Sequence, residues 1–432
     1  MSKSKNKVVY IVNTLLLHIV VFFVFFDSIR SNVIGGNYLT LVREAASVYL
    51  IGYTFLVCNP RKNDIITIPL ALFIVYHVFI SLTSIIISEG LITWAFIIKP
   101  LELIGMIFVF DNYCELTNGK YRDLVRMIVL TAVAFGIVNV LLYFIPLPIW
   151  NRTNFWWGRI SCGYPTMDVI SLCYALVLLI YYKDLRWKNI YKILLSALLS
   201  LFIILNFSGT GTVLLMFIMI FSLFINYSRQ IIGSVSLICI FLITLGTASV
   251  KEFFPTEYSN GIYLLETKYK NIMNDKSADS NTLDIRKKQF EKVKRRIDNI
   301  VVDVLGIGLN YATNDSKVLK DNKDAYMIEN EYNLIRICYG YLGLTLFLIL
   351  ILHLFISSTA TMNYIGMLGV GIFAVNNYIL ISLVLFPNYV LLAVFYVFTY
   401  RQKQIERQFY NNHIKRIRRL LFLRLNPLKK VG

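Results

Sequence analysis

The chain has 432 residues, 57% hydrophobic and 16% charged, where soluble domains run at roughly 45–50% apolar and about 25% charged. With a mean hydropathy of +0.63, it is excluded from the soluble, disordered and coiled-coil classes and is predicted to be an integral membrane protein. The net charge of +18 would suggest a nucleic-acid binder in a soluble chain, but here the positions of the cations relative to the spans account for it.

A hydrocarbon core of about 30 Å needs about 20 apolar residues per helix. Runs of that kind fall near 8–27, 38–57, 65–88, 90–110, 124–146, 166–182, 191–207, 210–226, 231–250, 333–356, 360–382 and 384–400, twelve in all. The opening MSKSKNKVVY enters the first run with no small-residue cleavage site, so it reads as a retained span. The second run carries Arg43 and Glu44, and the fourth carries Lys99 and Glu102. The expected domains are nine spans over 1–250, an extracytoplasmic loop over 251–332, three spans over 333–400 and a basic tail over 401–432.

Basic residues mark the cytoplasmic side of a membrane protein. Lys3, Lys5 and Lys7, then Arg61 and Lys62, fall on one side with Lys120, Arg122 and Arg126. Lys183, Arg186, Lys188, Lys192 and Arg229 join them, and the tail adds ten Lys/Arg against the single acid Glu406. The opposite short loops hold only Arg30, Arg152 and Arg159. Both termini are therefore expected in the cytoplasm. The long loop, with fourteen Lys/Arg and fourteen Asp/Glu, is neutral and faces outward. The tail, with Ile405, Phe409, Ile417 and Leu421 among its basic residues, either lies on the anionic inner leaflet or simply anchors the topology. No internal repeat is visible, which counts against a transporter of two repeated halves. The six scattered cysteines form no CxxC pair, and neither a disulfide framework nor a metal site is indicated.

Within the long loop, TLDIRKKQFEKVKRRIDNIVVDVLGIG predicts an amphipathic helix and a glycine turn. Phe290, Val293, Ile297, Ile300 and Val304 recur at alternating steps of four and three, which makes one apolar stripe. One step back lies Arg286, in register with that stripe and so pointed toward the protein body. It either snorkels at the helix end or grips an anion, since a guanidinium holds phosphate oxygens in pairs. In WWGRISCGYPTMD, Arg159 is a second phosphate contact or an incidental member of an aromatic belt with Trp150, Trp156 and Trp157. In IENEYNLIRICYGYLGLTLF, Glu329 and Glu331 precede an apolar helix that contains Arg336. Each carboxylate is either a helix-terminal partner of the dipole or a general base. Gly340 and Gly343 permit close approach. The turn NFSGTGTVL, with Ser208 and Thr210, is a tight turn or a polar pocket lining.

These pieces, in this order, resemble the superfamily of O-antigen ligases and Wzy-type polysaccharide polymerases. The likeness rests on four regions: the arginine and glycines of GRISCGYP, the Ser/Gly/Thr turn at 208–212, Arg286 leading to VLGIGLN (Gly306, Gly308), and Glu329-Asn330 followed after nine residues by Gly340 and Gly343. Ligases carry histidine where this chain has Glu329, so the match is nearer to capsular and exopolysaccharide polymerases. The family's Ser-Arg after the seventh span lacks its arginine here, at Ser208-Gly209-Thr210-Gly211.

The resemblance implies an all-helical, GT-C-like membrane glycosyltransferase of the bacterial cytoplasmic membrane, independent of metal or other cofactors. Its donor and acceptor would be glycans on undecaprenyl pyrophosphate, joined with inversion on the outer face. Glu329 would be the base, with Glu331 the alternative. Arg159, Arg286 and Arg336 would hold the pyrophosphate, while Ser208, Thr210 and Asn330 line the pocket. Partners would be membrane lipids, a chain-length regulator and a flippase, with no nucleic acid. The alternatives are a ligase of the same superfamily and a lipid-linked oligosaccharide flippase or transporter.

Overall fold

A computed structural model describes residues 3–33, 37–57, 65–87, 94–144, 165–206, 208–223, 299–306, 308–309, 331–379 and 385–401, with isolated positions in 251–263 and at 383. Among these residues the chain is all helix, without strands. We number the helices α1 (Lys3–Val33), α2 (Asn37–Val57), α3 (Ile68–Ile87), α4 (Trp94–Asp111), α5 (Tyr113–Thr117), α6 (Tyr121–Phe144), α7 (Pro165–Tyr181), α8 (Asn189–Leu205), α9 (Gly209–Leu223), α10 (Ile300–Leu305), α11 (Glu331–Ala360), α12 (Tyr364–Ile379) and α13 (386–401). A helix lies over every predicted run except 231–250, which is outside the described residues. Five of them, within α1, α2, α3, α6 and α11, are long and apolar enough to cross a membrane.

The side chains divide the helices into two kinds. Along α3, Ile68, Leu72, Val75, Phe79, Leu82 and Ile86 are all exposed, at steps of four and three. That spacing is one helical face, and an exposed face made wholly of Ile, Leu, Val and Phe is what a helix shows to lipid. By contrast, α7 and α13 are buried all round. Leu172 through Leu179 have no exposure, and Tyr389 through Phe398 have at most 5%. A helix apolar on every face belongs at the centre. The two central helices touch through Tyr174 and Phe395, whose rings are 4.7 Å apart. Both begin with proline in the first turn (Pro165, Pro387), where a missing N–H costs nothing.

Polar ties gather at the two ends of the bundle. At one end, Asn13 donates to the Leu116 carbonyl at 3.0 Å, and Arg126 donates to the Leu185 carbonyl at 2.8 Å. There too Arg401 at the end of α13 clasps Asp111 at the end of α4, with contacts of 2.6 and 3.0 Å. Asp111 is only 3% exposed. Replacing Arg401 with glutamine is therefore expected to cost about 2–3 kcal/mol, the range for leaving a buried charged group without its partner. Thermal unfolding in detergent checks this, and Asp111→Asn added to the same chain should restore part of the loss.

At the opposite end, α11 meets the last part of the loop. The apolar stripe predicted for the loop helix lies mostly outside the described residues, as does Arg286. Its visible end, α10, departs from the expectation of an inward stripe. Ile300 is 80% exposed and Val304 is 45% exposed. The reason is that α10 docks by its C-terminal turn and backbone, which leaves these side chains on the outside.

Candidate functional site

The docking of α10 on α11 is built from glycines. Gly340 interrupts α11 with φ +67° and ψ −171°, a conformation open essentially to glycine alone. The kink lets the backbone of Val304 and Gly306 lie directly against it. A Cβ on Gly340 would stand 2.3 Å from the Val304 carbonyl oxygen, and one on Gly306 would stand 2.3 Å from that of Cys338. Gly308, also at positive φ, donates its N–H to the Cys338 carbonyl at 3.1 Å. Leu309 donates to the Ser84 hydroxyl at 2.9 Å. The Tyr76 hydroxyl shares its proton between the carbonyls of Leu305 (2.9 Å) and Tyr339 (3.0 Å). Behind the kink, His77 accepts from the Tyr339 hydroxyl at Nδ1 (2.7 Å) and donates from Nε2 to the Ile97 carbonyl (2.9 Å). Gly306 and Gly308 thus meet Gly340, far away in sequence, at one joint between the loop and the membrane helices, and a Cβ on Gly343 would stand 3.1 Å from the Tyr76 ring beside it.

The predicted site residues fall around this joint to different degrees. Glu331, at the head of α11, is 2% exposed, and its Oε2 accepts the Leu383 N–H at 3.2 Å. Arg336, one and a half turns further on, bonds to the Tyr341 hydroxyl and lies 4.3 Å over that ring. Its guanidinium also stands 3.8 Å from Asp303 on α10, so it bridges the loop and α11. Ser208 and Thr210 stand at the head of α9, which packs on α7 and α8. Ser208 is buried and acts as the helix N-cap, with its hydroxyl 3.4 Å from the Gly211 N–H. Arg159, Arg286, Glu329 and Asn330 lie outside the described residues. Among the described residues no cluster of three or more His, Cys, Asp or Glu is placed to hold a metal ion.

A second constellation was not assigned a role from the sequence. Arg43 on α2 pairs with Asp27 on α1 at 2.9 Å and with its neighbour Glu44. Glu44 in turn accepts from Lys99 on α4 at 2.6 Å, and Lys99 reaches Glu102 at 2.7 Å. Glu102 also accepts the Tyr389 hydroxyl from α13, at 2.6 Å. The Arg43 guanidinium lies 4.3 Å over the Phe386 ring. Arg43 and Glu102 are each 6% exposed. Three carboxylates and two cations are thus held among four helices, at the same end of the bundle as the glycine joint. The signal for it was present, since Arg43-Glu44 and Lys99-x-x-Glu102 are charges inside apolar runs, and such charges either pair or mark function. Which of them pair across helices could not be read from spacing within one helix. Below the network lies an apolar cleft lined by Leu70, Phe73, Pro100, Leu103, Phe347 and Leu383.

No family model matches the chain, and no curated protein matches it in sequence.

Proposed function

We propose that the chain is a membrane glycosyltransferase that polymerises undecaprenyl-pyrophosphate-linked repeat units at the outer face of a bacterial cytoplasmic membrane. In this reading it has twelve spans, and both termini are cytoplasmic. The single observation that carries it is the joint between the Gly306–Gly308 turn and the Gly340 kink. That joint unites two of the sequence regions on which the resemblance to the polymerase superfamily rests. It sets Asp303, at the end of the loop, against Arg336, and it sits on the helix that Glu331 heads.

The chemistry asks for two things. An acceptor hydroxyl attacks the anomeric carbon, the bond to pyrophosphate breaks, and charge develops on the departing oxygen. Fixed cations lower that barrier, and Arg159, Arg286 and Arg336 are the residues assigned to it. The hydroxyl proton goes to a carboxylate, Glu329 with Glu331 as the alternative. Displacement in one step inverts the anomeric centre. Arg286→Ala and Glu329→Gln are each expected to abolish polymer at normal protein level and membrane insertion. Immunoblotting of membranes beside gel analysis of surface glycan checks this, and normal polymer in either variant removes that residue from the mechanism.

The buried ion network favours a second reading. Charged groups inside the membrane are frequent in transporters, so a lipid-linked oligosaccharide flippase is the rival. A strain lacking the gene separates the readings. Single repeat units persisting on the outward-facing lipid support a polymerase, and finished polymer left on its lipid supports a ligase. Repeat units trapped on the inner face support a flippase.

A further inference from the structure

One short segment ties the two constellations together. At its start, Leu383 gives its N–H to the Glu331 carboxylate. Three residues on, the Phe386 ring lies beneath the Arg43 guanidinium. Three further, Tyr389 gives its hydroxyl proton to Glu102. Between these points the chain closes a turn, with the N–H groups of Asn388 and Tyr389 directed to the Leu385 carbonyl at 3.0 and 3.2 Å. Pro387 stiffens it by fixing φ. Leu383, Phe386 and Tyr389 are all buried, so the turn has no solvent face at these positions on which to slide.

The chemistry of the ties is unequal to a simple packing role. Desolvating five charged groups is costly, and well-packed apolar residues hold helices together as well or better. What an ion network adds is direction. Arg43 is fixed by Asp27 and Glu44, and Glu102 by Lys99, so the two contacts on the turn come from groups that are themselves oriented. The far end of the same turn meets a carboxylate that has its own place in the proposed reaction.

We infer that Arg43, Glu102 and Tyr389 are positioning residues, which act through the 383–389 turn to hold the Glu331 carboxylate in its working orientation. The inference rests on the reading above, in which Glu331 belongs to the catalytic carboxylates. It adds that the buried ions serve the reaction without touching substrate. A misplacement of about 1 Å at a reacting group can cost on the order of a hundredfold in rate, so loosening one of several ties is expected to cost about tenfold.

The test uses the full-length protein in lipid nanodiscs and the variants Tyr389→Phe and Glu102→Ala. Tyr389→Phe removes a single oxygen and keeps the test open should Glu102→Ala fail to accumulate. The first readout is amide hydrogen exchange over peptides spanning 380–390. The second is the rate of polymer formation from the undecaprenyl-pyrophosphate-linked glycan extracted from the gene-deletion strain. Exchange in the turn is expected to rise about tenfold and kcat to fall about tenfold, with KM unchanged. Arg401→Gln, which breaks an ion pair at the other end of α13, should leave exchange in the turn at the parental rate. Glu102→Gln, whose amide oxygen still accepts from Tyr389, should recover most of the loss seen in Glu102→Ala. Unchanged exchange in both Tyr389→Phe and Glu102→Ala overturns the inference alone. If exchange rises but Glu331→Gln polymerises at the parental rate, Glu331 leaves the mechanism and the positioning role falls with it.

Discussion

Replacing Gly340 with alanine is expected to lower stability by about 3 kcal/mol or more and to abolish polymer. Two separate effects lead there. The backbone at Gly340 has φ +67° and ψ −171°, a region that residues with a Cβ reach only at a cost of about 1–3 kcal/mol. The added methyl would also stand 2.3 Å from the Val304 carbonyl oxygen, 2.4 Å from its carbon and 2.5 Å from the Gly306 nitrogen. These are backbone atoms, so no side chain can swing aside. Either α11 straightens and expels the loop, or the backbone of Val304 and Gly306 retreats and the hydrogen bond from Gly308 to Cys338 is lost. Gly52 is the matched control. It lies within α2 with nothing near its would-be Cβ, and alanine there should be neutral or gain about 0.5–1 kcal/mol. Thermal unfolding and surface glycan, measured side by side on the two variants, check the contrast. Parental stability in Gly340→Ala would mean that the kink is not what joins loop to membrane.

What the sequence could and could not convey differs by physical cause. The helices were legible because a span needs about twenty apolar residues in a row; the described helices lie over such runs, and five of them are long and apolar enough to cross a membrane. The glycines were legible as glycines, but their partner was not. Nothing in VLGIGLN says that it meets YGYLG, because backbone-to-backbone docking leaves no pattern in side-chain types. The inward stripe expected over Phe290 to Val304 shows the limit of periodicity. Ile300 and Val304 are apolar at helical spacing, yet they are exposed, because α10 docks through backbone at Val304, Gly306 and Gly308 and not through its apolar face. The ion network was half legible. Charges within apolar runs were visible at Arg43, Glu44, Lys99 and Glu102, but Asp27 sits near the end of its run and Tyr389 looks like any other aromatic. Their union depends on how α1, α2, α4 and α13 pack, which sequence spacing does not encode.

Lys99→Met should be the most damaging single change to the ion network. Lys99 bridges Glu44 on α2, at 2.6 Å, and Glu102 on its own helix, at 2.7 Å, and among the described residues it is the cation paired with Glu102. Its removal leaves Glu44 with Arg43, but it leaves Glu102 with only the Tyr389 hydroxyl among the contacts described. Three carboxylates would then face one guanidinium. Breaking a buried ion pair from one side costs about 3–5 kcal/mol, because the remaining charge keeps its desolvation penalty and loses its partner. Methionine fills much of the lysine's volume, so little of the loss comes from a cavity. A melting temperature lower by roughly 5–10 °C is expected in detergent. The second substitution makes the argument specific to charge. Adding Glu102→Gln removes the stranded carboxylate while keeping an acceptor for Tyr389, and the double variant should regain more than half of the lost stability. Two neighbours that share a contact are not additive, and their coupling is what the cycle isolates. A double variant as unstable as Lys99→Met would mean that packing around the lysine stem, not its charge, holds α2, α4 and α13 together.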